Sequence, residues 1–122
     1  MREAPILLNE NALRVTVHLN RDTGSVQGFL ADDILRLLAS AGIGGATVFH
    51  AHAGFGTHRR LHTSGAGDVE GQHLPAVIYF VDSPERVEAV LPELLAMVTD
   101  GLVEAHRTTI LKNVSNAEKV IS

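Results

Sequence analysis

The run Ala76-Val-Ile-Tyr-Phe-Val81 holds no charged residue, glycine or proline over six positions and follows directly on Pro75. β-Branched and aromatic residues without alternation fit a strand that is covered on both faces, not one with a wet side. Such a strand belongs in the middle of a sheet. The rest of the chain has to supply its neighbours and its two covers.

A neighbour is readable at Leu13, Val15, Val17 and Leu19, which alternate with Arg14, Thr16, His18 and Asn20 in the period of a half-buried strand. Gly24 and Gly28 mark the turn after it. Leu30, Ile34, Leu37, Leu38 and Ala41 then recur at helical spacing, with Asp32 and Asp33 near the positive helix start. Gly42 suits the left-handed residue that closes a helix. Residues 46–53, with Thr47, Val48 and Phe49, read as a second extended segment after Gly44-Gly45.

From Gly54 to His73 no apolar period is sustained, and Ser64, Gly65, Gly67 and Gly71 make this a long, mobile excursion, of the length that is functional or disordered in compact domains. After the apolar strand, Ser83-Pro84-Glu85 is an N-cap, a first-turn proline and a first-turn acid, and Val87, Val90, Leu91, Leu94, Leu95 and Val98 form one helical stripe. Pro92 removes a backbone donor from that helix, which predicts a kink or short break there. Asp100-Gly101 is a turn. Residues 102–112 are rich enough in Val, Thr and Ile for a fourth strand, and 113–122 form a C-terminal tail.

The order β-α-β-β-α-β places the chain in the α+β class, as a ferredoxin-like sandwich with two helices on one face of an antiparallel sheet. All 122 residues make a single domain, with its core at 13–112. Two helices cover one sheet face only, so the doubly apolar strand predicts that other subunits cover the second: a homo-oligomer.

Composition narrows the function. There is no cysteine, hence no disulfide and no thiolate metal site, and the N-terminus carries no signal-peptide pattern, so a cytoplasmic protein is expected. No apolar run reaches a membrane span. A net charge of −4, with four Phe, one Tyr and no Trp, argues against nucleic-acid binding. Asn113-Val-Ser115 matches a glycosylation sequon, which has no use without secretion.

Within this acidic chain, no Asp or Glu occurs between Asp33 and Asp68. That window contains Gly54 and Gly56, whose backbone can approach a ligand closely, and the adjacent guanidinium groups of Arg59 and Arg60, suited to phosphate or carboxylate. A small anion is the expected guest. Glu104 and Asp82 are the distant carboxylates that could pair these arginines instead. Five of the seven histidines, His50, His52, His58, His62 and His73, fall within 24 residues. His50 and His52 share a strand face and could donate two imidazoles to a divalent metal, with His58 or His62 completing the set. No enzyme is expected: Thr63, Ser64 and Asp68 lie near His62, but no nucleophile elbow, phosphate-binding loop, zinc-protease or dinucleotide motif is present.

Together, Gly45-Ala-Thr-Val, Gly54-Phe-Gly56, Leu61-His62-Thr63, Leu74-Pro75-Ala-Val77, Val81-Asp82, Leu91-Pro92-Glu93-Leu94 and Gly101-Leu102-Val103 resemble the PII-like family called domain of unknown function 190, from about Leu13 to Lys112. Its likeness to PII signalling proteins and CutA implies a homotrimer with sheets packed toward a three-fold axis. The resemblance further implies a small effector, often an adenine nucleotide, in clefts between subunits where a mobile loop (about 55–73) begins. By position, Gly54, Phe55 and Gly56 would form the loop base, and Arg59, Arg60, His62 and Thr63 would reach the ligand or a partner, such as a membrane transporter or another regulated protein. Asp100-Gly101 stands where PII proteins use a glycine-rich phosphate turn, but is shorter and lacks the following lysine. His50 and His52 are not part of the family pattern, so the metal reading stands on its own: a CutA-like, divalent-metal-binding trimer using them and a loop histidine is the alternative to a PII-like regulator.

Overall fold

The computed structural model describes residues 10–20, 24–25, 28–51, 53–55, 62–63 and 75–116. In chain order the elements are β1 (Ala12–Leu19), β2 (Gly24–Ser25), β3 (Gly28–Phe29), α1 (Leu30–Ser40), β4 (Thr47–His50), β5 (Ala53–Gly54), β6 (His62–Thr63), β7 (Ala76–Asp82), α2 (Pro84–Met97) and β8 (Gly101–Thr108).

The four longer strands form one sheet in the order β4-β7-β1-β8, with every neighbouring pair antiparallel. The apolar strand β7 is therefore internal, as its composition demands. Both helices pack on one face. Val15, Val17 and Leu19 of β1 and Ala76, Ile78 and Phe80 of β7 meet Ala31, Ile34 and Leu38 of α1 and Val87, Val90 and Leu94 of α2 in a single buried cluster. The i, i+3, i+7 spacing on both helices is what lines these side chains up on the core side.

Helix ends follow local chemistry. Gly42 has φ +83°, and the Gly42 and Ile43 amides donate to the Ala39 and Leu38 carbonyls, which is the double bond of a Schellman closure. Ile43 then folds back into the core beside Leu38. At the other helix, the Ser83 hydroxyl accepts from the Arg86 amide at 3.3 Å and Pro84 occupies the first turn. Asp82, buried at the end of β7, accepts from the amides of Gly44 (2.8 Å) and Ser83 (2.7 Å), tying the exit of α1 to the entry of α2.

Some boundaries depart from the sequence reading. The extended segment expected over 46–53 is split into β4 and the start of β5, because the β4–β7 ladder's last bond runs from the Ala51 amide to the Pro75 carbonyl (2.8 Å), and Pro75 has no N–H with which to answer. The last strand ends at Thr108, where β1 runs out of partners, but the Asn11 side chain continues the pattern: its Oδ1 accepts from the Ile110 amide at 2.8 Å. The break expected at Pro92 does not occur. Helix α2 runs through it, since Pro92 is on the solvent side while Val90 and Leu94 anchor the turns around it. Leu95, assigned to the apolar stripe, is half exposed.

Candidate functional site

Sheet register brings several of the singled-out residues to one end of the molecule. His50 pairs with Ala76, Ala76 with Leu19, and Leu19 with Gly101, so these four form one row across the sheet. Just beyond this row, β5 pairs with β6, matching Gly54 to His62 and Ala53 to Thr63. That short ladder lies beside Pro75, at the start of β7. A Cβ at Gly54 would meet the Pro75 ring at 3.3 Å, so a small residue is what lets the loop base sit against Pro75. Phe55, the next residue, is 70% exposed.

The Asp100-Gly101 turn lies at the same sheet end but at the opposite edge. Three strand spacings separate the β4 edge from the β8 edge, about 14 Å at ~4.8 Å per step. One small anion therefore does not reach both the loop base and this turn within one chain. The turn also holds the sheet end together. The Asp100 carboxylate accepts from the Asn20 side-chain amide, the Asn20 backbone N–H donates to the Asp100 carbonyl at 3.2 Å, and a Cβ at Gly101 would lie 2.1 Å from the His18 carbonyl oxygen.

Gly56, Arg59, Arg60 and His52 lie outside the described residues, as does most of the 55–73 loop and the last part of the tail. Of the two carboxylates weighed as partners for those arginines, Asp82 is occupied by two backbone amides with the Arg86 guanidinium 3.8 Å away, and Glu104 contacts His18 at 2.8 Å. Among the described residues no group of three or more His, Asp or Glu could hold a metal ion. His50 itself is exposed at the end of β4.

The sheet face away from the helices, for which the sequence predicts a cover from other subunits, carries contacts that the sequence did not identify. Arg14 lies over the Tyr79 ring at 5.0 Å, and Tyr79 stacks on Phe49 at 5.6 Å between centroids. Phe49 and Leu102 are more than half exposed. The alternation in β1 does predict that Arg14, Thr16 and His18 share a face; what they meet there depends on register across four strands, which no local pattern encodes.

No helix among the described residues is long and apolar enough to cross a membrane. The fold resembles that of CPII, a nitrogen regulatory PII-like protein from Thiomonas intermedia K12 whose structure holds ADP, AMP and bicarbonate (18% identity over 83% of this chain and 89% of that one, TM-score 0.61). It also resembles the divalent ion tolerance protein CutA1 from Ehrlichia chaffeensis (12% identity, 88% and 87% coverage, TM-score 0.54) and a PII-like signalling protein assigned in Thermus thermophilus (16% identity, 82% and 88% coverage, TM-score 0.51). At these identities the likeness establishes a PII-like fold. The family model of the uncharacterized ACR proteins, DUF190, matches residues 12–110, and the chain belongs to that family.

Proposed function

We infer that this chain is a PII-like regulatory protein, not an enzyme, whose effector is a small anion, with an adenine nucleotide as the first candidate. The observation that carries this reading is the β5–β6 ladder: it roots a loop at the end of the sheet, beside an exposed Phe55, on a fold shared with a nucleotide-bound PII-like protein. The acid-free window puts Arg59 and Arg60 in that loop, and guanidinium groups are the strongest side-chain partners for phosphate.

Assembly completes the site in this proposal. The loop base and the Asp100-Gly101 turn lie at opposite edges of one sheet, so a cleft between two copies is where a single effector meets both. Three copies with their open sheet faces turned inward would also cover Phe49, Tyr79, Val77 and Leu102. Effector binding then shifts the population of loop conformations over 55–73, and with it what the loop can dock against in the cytoplasm, a transporter or another regulated protein.

Isothermal titration of the full chain with ADP, AMP and bicarbonate tests the effector. Arg59→Ala and Arg60→Ala are each expected to weaken nucleotide binding at least tenfold. Unchanged affinity in both variants overturns their roles.

A further inference from the structure

On the open sheet face, His18 and Glu104 stand on neighbouring strands, one diagonal step apart: Glu104 is directly opposite Thr16, and His18 directly opposite Leu102. Their Nε2 and Oε2 atoms are 2.8 Å apart, and both side chains remain about half exposed. We propose that this pair is half of a divalent-cation site that a second copy of the chain completes.

Three observations support it. First, imidazole nitrogen and carboxylate oxygen each bind zinc-like ions at about 2.0–2.2 Å, so two ligand atoms of a tetrahedral ion lie roughly 3.4 Å apart, and the hydrogen-bonded pair at 2.8 Å needs only a small side-chain opening to reach that spacing. Second, both residues belong to the paired β1–β8 ladder, Glu104 inside it and His18 one pair from its end, so their backbone positions are held before any ion arrives. Third, the cation nearest in register on this face is occupied elsewhere: Arg14 sits over the Tyr79 ring. His106, two residues from Glu104 on β8 and opposite Arg14, shares the face but does not complete a three-ligand group. Within one chain the site thus stops at two ligands. Packing the open faces of several copies together would bring a second His18–Glu104 pair to the first and supply the rest. Zinc or nickel suits this mixed nitrogen and oxygen set better than magnesium or calcium, which favour oxygen alone.

The inference rests on the assembly proposed above but not on its effector. The test uses tag-free full-length protein, freed of metal and titrated with zinc alone by calorimetry, with oligomeric mass followed by sedimentation velocity. Zinc is expected to bind the wild type and to raise or tighten its assembled mass, and His18→Ala and Glu104→Gln are each expected to lose at least tenfold in zinc affinity. His50→Ala is expected to bind as the wild type does. No zinc binding by the wild type overturns the site, and so does equal affinity in the two pair variants and the wild type; loss in His50→Ala alone assigns the ion to β4 and overturns it as well. ADP titration of His18→Ala keeps the two readings apart: retained nucleotide binding with lost zinc binding supports the metal site, and nucleotide binding absent from a wild type that still takes up zinc removes only the effector reading.

Discussion

Gly101 and His18 are locked together by backbone proximity: the Cβ that any other residue would carry at position 101 falls 2.1 Å from the His18 carbonyl oxygen and 3.2 Å from the Leu19 Cα. Neither neighbour is a side chain that can swing away, so accommodating a methyl there means moving one strand of the β1–β8 ladder. Gly101→Ala is expected to cost about 1–3 kcal/mol, the range of overpacking in a well-filled site. Urea unfolding measures it, with Gly45→Ala as the control, since an added Cβ at Gly45 meets nothing within 4 Å. Equal stability in the two variants would contradict the geometry.

Asp82 offers a different kind of test, because its value lies in satisfying others. Removing its carboxylate in Asp82→Ala leaves the Gly44 and Ser83 amides without their acceptor at a part-buried junction, where water answers some of the loss. An unsatisfied buried donor costs about 1–3 kcal/mol. Stability should fall by that order, and hydrogen exchange should quicken at Gly44 and Ser83 first. Asp82→Asn, which keeps one oxygen, is expected to fall between the alanine variant and the wild type.

At Pro92 the expectation has the opposite sign. The ring removes the amide that would bond to the Glu88 carbonyl inside α2, yet it is solvent-exposed and contributes nothing to the buried cluster. Pro92→Ala restores a helical donor and a better helix former, partly offset by a more flexible unfolded chain worth about 0.4–1 kcal/mol. A net gain of about 1–2 kcal/mol in urea unfolding is expected. A loss would show that the proline shapes α2 in a way its exposure does not reveal.

These three sites also show what a linear reading can and cannot see. The core strand at 76–81, the Gly42 closure and the Ser83-Pro84 helix start were legible because each depends on residues adjacent in sequence. Strand ends were not: β4 stops because Pro75, twenty-five residues away, lacks an N–H, and β8 stops at Thr108, the partner of the first residue of β1. Gly101 was legible as a turn residue and a ligand candidate, whereas its steric reason lies on a strand more than eighty residues earlier. The end of the extended segment near Gly54 was legible from glycine spacing; the pairing of Gly54 to His62 was not, since two-residue strands carry no period. The open face was implied by the double apolarity of β7, but the aromatic stack and the His18–Glu104 contact needed the register.

That register makes Phe49 the residue on which the proposed assembly can be tested. It sits on edge strand β4, stacks on Tyr79, and exposes more than half of its surface on the face the helices leave bare. Phe49→Glu places a charge on that surface while touching none of the buried cluster, so the fold is expected to persist with at most about 1 kcal/mol lost from the aromatic stack. If copies pack through this face, burying an unpaired carboxylate in the interface is far costlier than losing the ring. Sedimentation should then show a monomer at concentrations where the wild type is assembled, with unchanged circular dichroism. An assembled Phe49→Glu variant of wild-type mass would place the contact between copies elsewhere, and with it the cleft in which the loop base and the Asp100-Gly101 turn are proposed to meet.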